Sequence, residues 1–111
     1  MNSKTFLLQN DIPWTDLGGG VKRQILGYDN TIMQVKVAFE KGSIGAAHTH
    51  PHSQSSLCVS GKFEVEIDGK TSIISAGDGF YVAPDKVHGV RCLEAGILLD
   101  GFAPCREDFL K

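Results

Sequence analysis

The chain has 111 residues and a formal net charge of −2, with 41% hydrophobic and 22% charged residues. This length and composition predict one soluble globular domain spanning residues 1–111. The basic residues are scattered, which argues against nucleic-acid binding, and no apolar run approaches the roughly 18 residues that a membrane span needs.

Residues 1–20 are predicted to form an N-terminal arm. Within it, residues 5–8 favour an edge strand, and Trp14 follows as an apolar anchor. The apolar side chains of the arm, such as Phe6 and Leu8, are too few to bury one another. We therefore expect the arm to pair with a second copy of the chain in a homodimer.

From Val21 onward the hydrophobic pattern has a period of two, which is typical of half-buried strands. Residues 34–40 and residues 62–68 alternate most cleanly between apolar and polar side chains. The second of these runs ends at Asp68-Gly69, the pair that a two-residue hairpin turn favours, and residues 71–75 would form the returning strand.

Three more strands are expected towards the end of the chain. They cover residues 80–83, which Pro84 ends, and residues 88–93 and 97–102. The tail after Pro104 favours a short helical turn. Many short strands separated by Gly, Pro and Asp indicate an all-β sandwich or barrel.

The three cysteines, Cys58, Cys92 and Cys105, are odd in number and lack the spacing of a metal-binding knuckle. We therefore expect reduced thiols and no disulfide framework. The N-terminal segment does not read as a secretory signal. A cytoplasmic location follows as an expectation.

The four histidines fall into two places: His48, His50 and His52 lie together, and His88 follows a proline turn much later. In an extended segment the rings of His48 and His50 project from one face, with Cα atoms about 7 Å apart. That separation allows both rings to bind one metal ion. The density of histidines favours a metal site over isolated structural roles.

Gln54 has the same strand parity as His48, but a straight strand would place the two roughly 20 Å apart. If Gln54 is also a ligand, the chain must fold back between them. Pro51 and Ser53 offer a natural place, because proline donates no hydrogen bond to a strand ladder. His52 would then lie on the turn, where a bystander role is favoured.

Two separated motifs resemble those of the cupin superfamily. The first, G-x5-H-x-H-x3-4-E-x6-G, has its counterparts in Gly42, His48, His50, Gln54 and Gly61, with Gln in place of Glu. The second runs from Gly-Asp past a proline to a histidine, and its counterparts are Gly77, Asp78, Pro84 and His88. The glycine that usually follows this proline is replaced by Asp85.

The resemblance implies an all-β jelly-roll β-barrel with a single domain. It also implies one divalent metal ion inside the barrel, with four ligands: His48, His50, Gln54 and His88. The ion could be Ni, Zn, Mn, Co or Fe, because imidazole-rich sites suit several metals. Neutral Gln54 leaves the charge of the ion uncompensated, which strengthens its Lewis acidity and its attraction to anions.

A narrower resemblance extends along nearly the whole chain. Trp14, residues 17–23, residues 50–54 and residues 99–109 are similar to the KdgF group of cupins, which act in pectin and alginate degradation. This resemblance implies conversion of 4,5-unsaturated monouronates, which are small anionic sugar acids, into linear 4-deoxy-5-keto-uronates. It further implies that the pocket is lined by Asp100, Phe102 and Arg106.

The residue pattern independently supports these positions. Leu98, Asp100 and Phe102 share one strand face, where an Asp among apolar neighbours is costly unless it has a partner. We expect Asp100 to be the acid-base group and Phe102 a pocket wall. Arg106 suits the substrate carboxylate because its planar fork binds carboxylates through two hydrogen bonds. Participation of Lys22 or Arg23 stays open.

Two other functions are compatible with the same residues. A cupin dioxygenase would use the same histidines with redox-active iron and would consume oxygen. A non-catalytic sugar-binding cupin would bind the same ligand without turnover and usually carries an attached DNA-binding domain. Fold resemblance alone does not decide between these chemistries.

Overall fold

Eight antiparallel strands carry the fold in the computed structural model, which describes residues 1–111. They are β1 (Thr15–Gly18), β2 (Val21–Tyr28), β3 (Met33–Phe39), β4 (Ile44–His48), β5 (Ser53–Ile67), β6 (Lys70–Ser75), β7 (Gly79–Val82) and β8 (His88–Ala103). Short 3-10 turns cover Gln9–Asp11 and Glu107–Leu110. The all-β prediction is confirmed, and none of the helical segments has the length and apolar character needed to cross a membrane.

The two long strands, β5 and β8, pair with each other along two successive segments. Residues 53–58 of β5 pair with residues 98–103 of β8, where β3 and β7 also attach. Residues 62–67 pair with residues 88–94, where β4 and β6 attach. The ladder shifts register repeatedly in between, so the sheet bends into two facing layers. This arrangement is the expected jelly-roll barrel.

The bend depends on close backbone contact between β5 and β8. Gly61 has φ +83°, and a Cβ there would lie 2.6 Å from the carbonyl oxygen of Glu94 and 2.7 Å from Cα of Gly96. Only glycine fits both restrictions. The prediction of two separate strands over residues 88–93 and 97–102 is therefore wrong, because one continuous strand bends past this contact.

The alternating segments behave as predicted. Val35, Phe63 and Val65 are buried, and Asp68-Gly69 turns the β5–β6 hairpin with positive φ angles. The core has two clusters within the barrel. One contains Phe39, Cys58, Phe63, Val65, Ile74, Cys92 and Leu98, and the other contains Met33, Val35, Phe102 and Cys105.

The N-terminal arm lies along the outer side of β2 of its own chain. The backbone N–H of Ser3 donates to Tyr28, and the Gln24 side chain donates to the carbonyls of Gln9 and Ile12. Residues 5–8 form no strand, so that prediction is wrong; within the arm only β1 pairs with β2 in a ladder. Its pairing with a second copy stays a prediction.

Candidate metal centre

Three histidines converge inside one end of the barrel. His48 ends β4 and His88 begins β8, and the two are direct partners in the β4–β8 register. Their ring centroids lie 4.4 Å apart, and the ring of His50 lies 4.8 Å from that of His88. One ring nitrogen from each residue lies within 4.8 Å of the other two. This grouping could hold a metal ion.

Gln54 reaches the histidines because the chain reverses after His50. The backbone bends at Pro51 and His52, and β5 begins at Ser53, so the reversal that a Gln54 ligand would require is present. The N–H of Asp85 donates to the carbonyl of His50 over 2.9 Å and fixes this turn. Asp85 itself has φ +67°, a left-handed conformation at the position where the cupin motif usually has glycine.

Backbone carbonyls select the same tautomer of all three rings. Nδ1 of His48, His50 and His88 lies 2.9, 3.1 and 2.9 Å from the carbonyl oxygens of Ala46, His52 and Lys86. Since a carbonyl only accepts, each Nδ1 carries the proton. The Nε2 lone pairs are left free for a cation, which is the arrangement that metal-binding histidines use.

A chain of polar contacts orients Gln54. The hydroxyl of Ser56 donates to Oδ1 of Asp100 over 2.6 Å and therefore accepts from Nε2 of Gln54 over 3.0 Å. This leaves Oε1 of Gln54 facing Nε2 of His50 at 2.9 Å. Two lone pairs thus face each other.

These unsatisfied groups fit a divalent ion. Two ligands at about 2.1 Å from one ion lie roughly 3 Å apart, which matches the separation of His50 and Gln54. Nε2 of His88 is buried and has no hydrogen-bond partner. A cation would satisfy all of these atoms, and neutral imidazole with amide oxygen is a suitable donor set.

Burial keeps the inner rings in the neutral form that binds metals. Loss of solvation lowers the pKa of His50 and of His88, and the charge of Arg106 acts in the same direction. The hydrogen-bonding partners of each ring oppose this shift in pKa. The neutral ring of His50 has only one N–H, so it cannot donate both to the carbonyl oxygen of His52 and to Oε1 of Gln54.

Asp100 lies on β8 and faces the same interior. Burial raises the pKa of its carboxyl group to about 6, although the hydrogen bond from Ser56 and the charge of Arg106 favour ionisation. Part of its surface stays open because it borders a cavity. Near neutral pH this carboxyl group can therefore both give and take a proton.

The cavity beside the histidines has a volume of about 130 Å³. Its lining includes His48, His88, Asp100, Phe102, Arg106 and Arg23. A larger groove of about 640 Å³ lies beside the N-terminal arm and is also lined by Gln54 and Phe102, but no histidine contributes to it. We assign the site to the smaller cavity because it combines the potential metal ligands with a carboxyl group of raised pKa.

A family model described as a cupin domain matches residues 35–100. The pectin degradation protein KdgF of Dickeya dadantii (strain 3937) is 39% identical over 109 residues, which cover 96% of this chain and 99% of that protein. The chain belongs to the cupin family, within its KdgF group. Two solved structures support this cupin assignment over nearly the whole chain.

An RmlC-like cupin from Shewanella frigidimarina NCIMB 400 is 45% identical, with a TM-score of 0.95 and coverage of 97% of both chains. KdgF from Halomonas sp. is 33% identical, with a TM-score of 0.91 and coverage of 96% of this chain and 99% of that one. These similarities confirm the cupin resemblance seen in the motifs.

Arg106 of this cupin does not present the free fork that the sequence suggested. Its Nε and Nη2 donate to the two carboxylate oxygens of Asp108 over 3.1 and 2.9 Å. The guanidinium also lies over the rings of Phe102 and Phe109, at 5.0 and 4.1 Å from their centroids. Arg106 therefore adds positive charge to the cavity while its fork is already paired.

His52, Lys22 and Arg23, whose participation the sequence left open, differ in their positions relative to the cavity. His52 places its carbonyl oxygen 3.1 Å from Nδ1 of His50, and its ring packs edge to face against that of His50 with 5.5 Å between the centroids, outside the group of three metal-binding rings. Lys22 is exposed and lies 4.5 Å from the ring centroid of Trp14. Arg23, its neighbour, borders the cavity instead.

Sequence reasoning missed Ser56 and Phe109. Ser56 shares strand parity with Gln54, and this signal could have placed it on the inner face. Phe109 lies in the final 3-10 turn, where no strand periodicity predicts which way a side chain faces.

Proposed function

We propose that this cupin is a metal-dependent enzyme that converts 4,5-unsaturated monouronates into linear 4-deoxy-5-keto-uronates. The observation that carries the proposal is the position of Asp100, whose pKa is raised to about 6, in a cavity that is also lined by His48 and His88, two of the three converging histidines. The similarity to the pectin degradation protein KdgF of Dickeya dadantii supports a substrate derived from uronates.

Four residues would hold one divalent ion: His48, His50, Gln54 and His88. Ni, Zn, Mn, Co and Fe all remain compatible with this donor set. When bound, the ion would supply Lewis-acid polarisation of substrate oxygens. The volume of the cavity suits a monosaccharide better than a polymer chain.

Asp100 would move the proton in this reaction. Opening of the cyclic hemiacetal first breaks the bond between C1 and the ring oxygen, so that C1 becomes an aldehyde and its hydroxyl proton passes to the former ring oxygen, which becomes the enol hydroxyl at C5. In its protonated form Asp100 then donates to C4 of the enol while the hydroxyl at C5 loses its proton and becomes a carbonyl. The reaction is an isomerisation, so it balances without an oxidant, reductant or other co-reactant. A carboxyl group with a pKa near 6 suits this role because it is close to the working pH.

Two further side chains would orient the substrate. Phe102 forms a wall of the cavity and packs edge to face against His50, with 5.6 Å between ring centroids. Arg106 contributes positive charge towards the substrate carboxylate. Positioning of this kind lowers the barrier by holding the substrate in a reactive geometry.

The decisive experiment follows the ultraviolet absorbance of freshly made unsaturated monouronates, corrected for their uncatalysed decay. The native protein should accelerate the decay of the galacturonate- or mannuronate-derived substrate. Asp100→Asn should retain its metal and lower turnover by roughly 100-fold, the usual contribution of a positioned acid-base group.

Asp68→Asn is the matched control, since Asp68 is exposed in the β5–β6 hairpin and should leave turnover unchanged. If the native protein accelerates neither substrate, the enzymatic proposal fails. Uronate binding without turnover would then favour a non-catalytic sugar-binding cupin.

A cytoplasmic location is also proposed, supported by three buried cysteine thiols.

A further inference from the structure

Arg23 is a half-buried cation on the wall of the metal-site cavity, and the mechanism above does not use it. We infer that Arg23 binds the carboxylate of the ligand directly and so determines the preference for sugar acids over neutral sugars. This inference rests on the proposed function for the identity of the ligand as a uronate.

The strand geometry directs Arg23 into the barrel. Arg23 pairs with Val37 across the β2–β3 ladder, and both residues border the cavity together with His48 and Asp100. The next residue, Gln24, faces the opposite way and binds the N-terminal arm. Alternation along β2 therefore fixes which of these side chains can reach a ligand.

Arg23 lacks a partner for its fork. Its Nε is buried and has no hydrogen-bond partner, and no carboxylate lies within ion-pair distance of its guanidinium. Arg106, on the same cavity, donates twice to Asp108. Since buried donors are nearly always paired in folded proteins, the free fork of Arg23 is the better candidate for a ligand carboxylate.

The local charge also favours an incoming anion. The guanidinium carbons of Arg23 and Arg106 lie 3.9 and 4.1 Å from the centroid of the same ring, Phe109. Of these two guanidinium groups only that of Arg106 is paired with a carboxylate, that of Asp108, so the positive charge of Arg23 has no ion-pair partner. Burial lowers the pKa of Arg23, Asp108 opposes this and Arg106 adds to it. A carboxylate would relieve the repulsion between the two cations.

Lys22 provides a matched control on the same strand. It is adjacent in sequence and carries the same charge, but it is exposed and lies over Trp14. Removing its charge changes the net charge of the protein as much as removing that of Arg23 does. A difference between the two variants therefore reports position and not overall charge.

The test measures binding of D-galacturonate and D-galactose to the metal-loaded full chain by titration calorimetry. The native protein should bind galacturonate more tightly than galactose. Arg23→Met should weaken galacturonate binding by about 10- to 100-fold, the range expected for a lost charged hydrogen-bonded contact. Arg23→Lys should recover part of the loss, and Lys22→Met should bind like the native protein.

Equal binding of galacturonate by the native protein and by Arg23→Met would overturn the inference, as would a native protein with no preference for the acid. Melting curves establish that each variant is folded, and if Arg23→Met unfolds, loss of affinity in Arg23→Lys decides. Turnover of unsaturated monouronates is scored separately. If binding depends on Arg23 but the native protein has no turnover, the proposed function is wrong and the Arg23 inference stands. If the native protein has turnover and Arg23→Met has an unchanged KM, the Arg23 inference is wrong and the proposed function stands.

Discussion

At the scale of single residues, the carboxyl group of Asp100 couples stability to pH. Its pKa is about 6 in the folded protein and about 3.8 when it is not perturbed. Because the folded state holds this proton more tightly, native stability should fall as pH rises between these two values and stay lower above pH 6. The shift corresponds to at most about 3 kcal/mol, reduced by solvent that enters the cavity.

Asp100→Asn should remove this pH-dependent loss of stability, because the amide does not ionise. In urea unfolding of metal-free protein, the variant should gain stability relative to the native chain between pH 4 and pH 7. The comparison at each pH cancels the titration of the histidines, which both proteins share. Parallel stability curves for the two proteins would contradict the assigned burial of this carboxyl group.

Gln54 is the one neutral amide among the four proposed metal ligands. Gln54→Glu should hold a divalent ion as tightly as the native protein or more tightly, because the new carboxylate compensates part of its charge. Gln54→Leu, of similar size but without a donor atom, should bind it less tightly. Chelator competition followed by elemental analysis measures both effects, and equal metal retention in Gln54→Leu would remove Gln54 from the ligand set.

The sequence predicts the residues of the site better than their pairing. Clustering and parity indicate His48, His50 and Gln54, because strand geometry and a proline turn determine which faces they share. The pairing of Arg106 with Asp108 could not be predicted in the same way. It depends on the path of the final 3-10 turn, and that path depends on packing against Phe102.

At the scale of elements, the bend between β5 and β8 depends on Gly61. Gly61→Ala should destabilise the protein by roughly 3 kcal/mol or more, because left-handed strain adds to a clash with backbone atoms that cannot move aside. Gly77→Ala is the matched control, since Gly77 has φ +92° with no atom near the added Cβ. It should cost only about 1–2 kcal/mol.

Urea unfolding of the two alanine variants gives both values. Equal losses would show that the backbone conformation alone matters and that the contact with Glu94 does not. The same contact explains why the sequence predicts two strands where one exists. Periodicity identifies segments of strand, but continuity through a bend depends on a partner strand that lies far away in sequence.

In the molecule as a whole, the two layers of the barrel contribute different residues to the candidate metal site. The ends of β4 and β8 carry His48 and His88, whereas Gln54 and Asp100 lie on the halves of β5 and β8 in the other layer. The candidate metal site therefore forms only when the two layers pack against each other. The local hydrophobic pattern predicts each strand. It does not predict how the two layers come together, because that depends on the long-range pairing of β5 with β8.

The outer surface indicates how two such barrels would associate. Phe6 and Leu8 in the arm are 80% and 61% exposed. Residues 3–5 border the larger groove, which is also lined by the exposed side chains of Ile32 and Tyr81. Apolar surface of this kind on adjacent elements is typical of an interface. A two-fold dimer would bring the arm and groove of one copy against those of the other.

Sedimentation velocity at micromolar concentration should therefore show a dimer of the native chain. The double variant Phe6→Ser with Leu8→Ser should shift the equilibrium towards the monomer, because the arm would lose its apolar contacts. Its metal content should stay unchanged, since the arm lies outside the barrel. Ile73→Ser, which alters an exposed apolar residue on β6, is the control and should stay dimeric. A native chain that sediments as a monomer would mean that the arm serves only to cover β2 of its own barrel.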